Sequence, residues 1–179
     1  MSKRVLLVVL ATVIVIGAAV VLHTRKQPRE PGRCYTSCRE ASFSIHLPQG
    51  WRQQGEGTSV VHFFPTASQT AAPQTIVNVI IVDLHREVAL DQYLQTSFPF
   101  IMRVFPDYRE QARVHLRIAN TDAWRVTASC TMCNVRSTMV NYILMSGHLV
   151  CMISCMASAD SFPRYRQAFE WMAQSFRWE

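Results

Sequence analysis

The densest set of chemically capable side chains lies between residues 130 and 156. Cys130, Cys133, Cys151 and Cys155 stand there among Met132, Met139, Met145, Met152 and Met156, with His148 in the same stretch. Thiolate and thioether are soft ligands, so Cys130, Cys133, Cys151, Cys155, Met152 and Met156 form a candidate set for Cu(I), and Cys130-Thr-Met-Cys133 alone has a zinc-like spacing. The simpler reading is structural. Methionines at alternate strand positions are ordinary core filler, and cysteines of an exported domain ordinarily form disulfides.

Disulfide candidates are Cys34, Cys38, Cys130, Cys133, Cys151 and Cys155. On one strand, Cys151 and Cys155 share a face but stand about 13 Å apart at ~3.3 Å per residue, beyond bridging distance, so each needs another partner. Cys130 and Cys133 flank an expected turn and could join locally. Cys34 and Cys38 repeat the offset of Cys151 and Cys155, and the two pairs could form two rungs if the segment before the first strand ran beside the last. Spacing does not choose among these connectivities. A redox reading of Cys130-Thr-Met-Cys133 needs a helix start to depress a thiol pKa, and the motif falls between strand patterns instead.

Other chemistry has weaker support. His46, His62, His85, His115 and His148 are scattered, with neither the His-x-x-x-His nor the His-Glu-x-x-His spacing of a metal site. There is no Gly-x-Ser-x-Gly elbow, no glycine-rich phosphate loop and no paired-carboxylate constellation. The sequence therefore nominates no catalytic residue and no cofactor, and the protein reads as a non-enzyme. Trp51, Trp171 and Trp178 belong to the core or to a partner-binding patch. Arginine outnumbers lysine sixteen to two. Arg103, Arg109 and Arg113 could hold an acidic partner, while compositional bias explains the surplus more simply.

The charge distribution narrows the classes further. The 179 residues carry a formal charge of +6. Residues 1–33 contribute six basic side chains against Glu30, net +5, so residues 34–179 are left at net +1. A nearly neutral domain removes the electrostatic argument for nucleic-acid binding. With 49% hydrophobic and 17% charged residues, the chain has the composition of a folded protein.

The elements that must position these side chains begin after a short basic tail, residues 1–4. Residues 5–22 are uncharged, with Thr12 the only polar side chain. As a helix they would extend about 27 Å, close to the thickness of a bilayer core. They are expected to be a transmembrane anchor, with a cleaved signal segment as the alternative because Gly17, Ala18 and Ala19 suit a peptidase. Basic residues flank both ends, so charge alone leaves orientation open. The even cysteine count favours an oxidising side, which places the domain on the periplasmic side of the cytoplasmic membrane as a single-pass protein. Residues 23–39 read as a linker containing Cys34-x-x-x-Cys38, and 40–179 as the globular domain.

Within that domain, strands are expected at 41–48, 58–64 and 75–82, followed by a helix over 88–98 that Pro99 disturbs. Four more strands follow, near 113–118, 123–130, 135–145 and 148–156, with a hairpin at Ser146-Gly147. The last element is a helix with Phe162, Tyr165, Phe169, Met172 and Phe176 on one face and Ser161 as N-cap before Pro163. The order implies an α+β fold, a mostly antiparallel sheet covered by helices.

This pattern resembles the PsbP-like and DcrB-like family of α/β/α sandwich domains over residues 41–177. The likeness lies in Phe43, Ile45, Leu47, Pro48, Gly50 and Trp51 at the start, Leu90-Asp-Gln-Tyr93 at the helix opening, Ala123-Trp124, and Ser175-Phe176 at the close. Thr121-Asp122 and the cysteine content depart from the family pattern. The resemblance implies an accessory domain without catalytic residues. The expected function is a membrane-tethered, disulfide-stabilised accessory or binding module of the cell envelope. It contacts the membrane through residues 5–22 and a protein partner that the sequence does not identify. The alternatives are a soft-metal or thiol-disulfide protein using the 130–156 cluster, and a chaperone for apolar membrane segments.

Overall fold

A computed structural model of the chain describes residues 34–37, 41–54, 60–66, 75–105 and 107–179. The basic tail, the apolar run 5–22, residues 23–33 and Cys38 lie outside the described residues. Among the described residues no helix is long and apolar enough to cross a membrane.

Seven strands form the central antiparallel sheet, in the order β3-β4-β5-β9-β8-β7-β6. They are β3 (Trp51–Gln54), β4 (Val60–Pro65), β5 (Ile76–Asp83), β6 (Arg109–Ile118), β7 (Thr121–Met132), β8 (Val135–Ser146) and β9 (Leu149–Ser158). One meander runs β3 to β5. Helix α1 (Leu90–Val104) then carries the chain to the far edge, and β6 to β9 fold back inward until β9 pairs with β5 along eight residues. A three-stranded sheet, ordered β1-β2-β10, is built from β1 (Cys34–Ser37), β2 (Ser42–Ile45) and β10 (Arg177–Trp178). β10 follows directly on helix α2 (Phe162–Ser175).

Alternation along the strands separates two faces. Val77, Val79, Ile81, Tyr142, Leu144 and Ile153 point toward Phe169, Met172 and Phe176 of α2 and toward Phe43 and Ile45 of β2, in one buried cluster. The intervening positions point toward α1, in two clusters. Leu94 packs with Val126, Ile143 and Val150. Phe98, Ile101 and Val104 pack against Phe64, Ile76, Phe105 and Tyr108. A strand buried on both sides has no polar face to spare, hence the unbroken burial of β5 from Ile76 to Ile81.

Several local expectations change. β1 falls within the stretch read as linker and pairs with β2, so the fold takes up the end of that stretch. The first expected strand shortens to β2, and its continuation past Gly50 becomes the edge strand β3. β6 starts at Arg109, ahead of the expected 113. Helix α1 continues through Pro99 to Val104. Pro99 removes one backbone donor, but both it and Gln95, whose carbonyl loses that bond, face solvent, where water can replace it. The apolar stripe of Leu94, which is buried, and Phe98 and Ile101, which are partly buried, holds the helix across the defect.

The turns also differ in detail. Ser146 pairs with Leu149, so the hairpin loop is Gly147-His148, with Gly147 at φ +57° as a type II′ turn requires. Cys133-Asn134 and Ala119-Asn120 are two-residue loops with both residues at positive φ, the type I′ pattern. Ser161 occupies the position before α2, but its side chain makes no cap hydrogen bond. Its Oγ turns back to Ser158 Oγ at 2.7 Å, and Pro163 in the first turn lacks the N–H that a cap would satisfy.

Candidate functional site

The sheet distributes the sulfur cluster instead of gathering it. Cys151 pairs across to Ile81 and Leu144, and Cys155 to Val77 and Val140, and both are fully buried on the α2 face. Met152 and Met156 alternate to the α1 face. Met152 packs in the Leu94 cluster, and Met156 lies with Cys130 and Met139 in the Phe105 cluster. Cys133 sits exposed in the β7–β8 turn. The six candidate ligands are thus split between two sides of a sheet and a hairpin tip, and donors at about 2.3 Å from one ion cannot come from all three places. Among the described residues, no group of three His, Cys, Asp or Glu side chains could hold a metal ion.

The expected disulfides fare similarly. No disulfide joins Cys130, Cys133, Cys151 or Cys155 to one another. Cys130 turns into the α1-side core while Cys133 takes the left-handed turn position, which separates the pair expected to close locally. The two-rung arrangement needs β1 beside β9, whereas β1 runs beside β2, and β5 and β8 occupy both edges of β9. Burial, with the Asp107 carboxylate nearby, pushes the Cys130 thiol up to about 11. Burial alone pushes Cys155 far above the ordinary thiol range. Both are kept as neutral thiols at neutral pH, opposite to what a redox nucleophile needs.

A feature absent from the sequence reading lies under α1. His62, Asn78, Ser154 and Asn141 occupy laterally paired positions on β4, β5, β9 and β8, forming a buried polar row across the sheet. It separates the Leu94 cluster from the Phe105 cluster. His62 Nδ1 and Asn78 Oδ1 are 2.7 Å apart. Since that oxygen only accepts, Nδ1 is the donor of this bond. Asn141 is 2% exposed, and its Oδ1 has no hydrogen-bond partner. Ser154 lies on the far side of Asn78 from His62, so the row contains no nucleophile beside a base. Its sequence signal is a single polar residue inside each of three apolar runs: Val61-His62-Phe63, Val77-Asn78-Val79 and Val140-Asn141-Tyr142.

The surface offers contacts rather than reactive groups. Arg113 is held by both carboxylate oxygens of Glu110 at 2.9 and 2.7 Å, and its guanidinium lies 4.6 Å from the Phe98 ring centre. Arg103 lies over Phe100, and Arg109 is exposed on the edge strand β6. Arg103 and Arg113 are thus each stacked on an aromatic ring of α1, and Arg113 is also paired with Glu110. Trp51 packs edge-on against Tyr165 and Phe169, and Trp178 against Phe176. Trp171 differs: it is 45% exposed on the outer side of α2, and its ring lies 5.6 Å from that of His46. The backbone N–H of His46 donates to Ser175 Oγ at 2.8 Å, which fixes this corner to the end of α2. The neighbouring Ile45 is the register partner of Cys34, so Trp171 stands beside the point where the chain joins the fold.

The fold is PsbP-like. The structure of cyanobacterial PsbP (CyanoP) from Synechocystis sp. PCC 6803 matches it with a TM-score of 0.63 at 12% identity, covering 88% of this chain and 99% of that one. LpqN of Mycobacterium tuberculosis, described as involved in cell envelope biogenesis, matches with a TM-score of 0.58 at 14% identity, covering 82% and 90%. The Ran-binding protein Mog1p of Saccharomyces cerevisiae reaches 0.58 at 6% identity, covering 83% and 96%. No family model matches the chain, and no curated protein matches it. At such identities the likeness concerns the fold, and the different descriptions of these three proteins illustrate how little a shared fold says about function.

Proposed function

We propose that the protein is a non-catalytic accessory or binding module of the cell envelope. Residues 5–22 tether it to the cytoplasmic membrane, and the domain lies on the extracytoplasmic side. The observation that carries this reading is the sequestration of its reactive side chains. Cys130 and Cys155 are buried as neutral thiols on opposite faces of the sheet, and the described surface presents an aromatic corner and ion pairs such as Arg113 with Glu110. Such a surface can bind without reacting. PsbP-like folds in CyanoP and LpqN support the reading at the level of architecture. The apolar run ahead of the domain supports the tether, as it is long enough to span. Any disulfide belonging to this reading involves Cys34 and Cys38, because the other four cysteines are not joined to one another.

Cys133 provides the test, since it is the exposed thiol of the four placed in the fold. In cells expressing the full chain with Cys34→Ser and Cys38→Ser, a membrane-impermeant maleimide should label the protein equally before and after permeabilisation. Labelling that appears only after permeabilisation would put the domain in the cytoplasm and overturn the localisation. Alkaline carbonate extraction of the same membranes reads the tether separately, and release into the supernatant would remove it.

A further inference from the structure

Trp171 is a large apolar side chain, 45% exposed, on the outer side of α2. Among the described residues, Met102 and Val114 are also exposed, at 57% and 40%. They belong to α1 and to the edge strand β6, whereas Trp171 lies on α2, across the sheet from α1, at the corner shared with His46. That corner is where the chain arrives: Cys34 pairs with Ile45, one residue before His46. Eleven residues, 23–33, separate β1 from the apolar run 5–22. At no more than ~3.6 Å per residue they span at most about 40 Å, so the corner around Cys34 lies within about 40 Å of any bilayer carrying that run.

The local charges do not oppose an anionic surface. Glu170, next to Trp171, is met by Arg125 at 3.7 Å and Arg166 at 3.3 Å. Arg164 lies over the Tyr165 ring on the same helix, and Arg177 closes the C-terminal end of α2 through Gln174 and Phe176 carbonyls. An indole with an apolar body and one N–H donor is favoured at the boundary between headgroups and acyl chains, and nearby basic residues add attraction to anionic lipid.

We infer that the Trp171–His46 corner lies on the lipid bilayer that carries residues 5–22, with the Trp171 indole in the interfacial layer. The inference rests on the tether proposed above and adds the orientation of the domain. Its consequence is that the opposite side, with α1 and the exposed Met102, faces away from the membrane. Binding at that side is then compatible with the tether, while the α2 corner is already occupied by lipid.

The experiment uses the full chain in liposomes of phosphatidylcholine with a minor share of phosphatidylglycerol, prepared with and without lipid brominated near the glycerol. Flotation first reports whether the chain is membrane-bound at all. For floating protein, tryptophan fluorescence should be quenched by the brominated lipid, and Trp171→Phe should remove about half or more of that quenching, because interfacial depth is the property an indole reports. Unchanged far-ultraviolet circular dichroism and an unchanged thermal unfolding midpoint confirm that Trp171→Phe remains folded. If the chain floats and quenching is the same in Trp171→Phe, the orientation is overturned and the tether stands. If the chain does not float, the tether fails and the orientation falls with it.

Discussion

The two faces of the central sheet are built differently. The α2 face is a continuous apolar cluster reaching from Phe63 on β4 to Ile118 on β6 and closed by α2 and β2. The α1 face has two smaller clusters with a polar row between them, and Leu94 is the one buried residue of α1 itself. The difference teaches where stability and where specification reside. Continuous apolar packing contributes most of the burial energy and tolerates substitutions that keep volume and patterning. A buried row of hydrogen-bonding groups contributes little net energy, yet it penalises any strand register that would leave its members unpaired.

The contrast can be tested from its strongest side. Phe169→Ala, which opens the α2 face, should cost about 3–5 kcal/mol in denaturant unfolding. Leu94→Ala on the α1 face should cost less, roughly 2–3 kcal/mol. If Leu94→Ala proves the more damaging of the two, the division of labour between the faces is refuted.

The polar row should show its own internal asymmetry. Asn78→Ala leaves the His62 Nδ1–H buried without its acceptor and should cost about 2 kcal/mol, the penalty of an orphaned donor plus a small cavity. Asn141→Ala removes an oxygen that has no partner, so its cost should be smaller, and chemical denaturation of the two variants side by side gives the order.

Alkaline titration compares the faces through their thiols. The Cys130 thiol is raised from 9.0 to about 11, and Cys155 is raised further by burial. A raised folded-state pKa means that the native protein holds the proton that the unfolded chain releases. This stabilisation is complete below pH 9 and is lost as pH rises toward the folded-state values. Unfolding free energy should therefore fall between about pH 9 and 11, and Cys130→Ala should make that fall shallower. A slope indifferent to Cys130 would mean that the thiol is not protected on the α1 side.

The smallest effect concerns the attachment of α1. Trp124 Nε1 donates to Asp91 Oδ1 at 2.7 Å, joining the first turn of α1 to β7 at an exposed site. Trp124→Phe should cost about 1 kcal/mol. Amide hydrogen exchange should quicken in α1 and stay unchanged in α2, and equal acceleration in both helices would contradict an independent attachment.

Much of the fold was readable from periodicity. α2 follows from its aromatic spacing, β5 from an unbroken β-branched run, and β7 to β9 from alternating patterns separated by turn residues. β1, β3 and β10 were not readable, because segments of two to four residues carry too few positions for a period, and their pairing is decided by distant partners. The passage of α1 through Pro99 was hidden for a related reason. Local propensity opposes it, and only packing of Leu94 and Phe98 against the sheet outweighs the lost bond.

The candidate site was less legible than the fold. The sequence by itself determined the apolar run, the near-neutral domain and the presence of sulfur-rich strands, since composition and spacing are properties of the chain alone. Tertiary structure decided that Cys155 and Met156, adjacent in sequence, belong to opposite cores, because successive side chains on a strand leave through opposite faces. It also decided that His62, Asn78, Ser154 and Asn141, the outermost two 92 positions apart, meet in one row, because strand order and register, which no local stretch contains, bring them side by side.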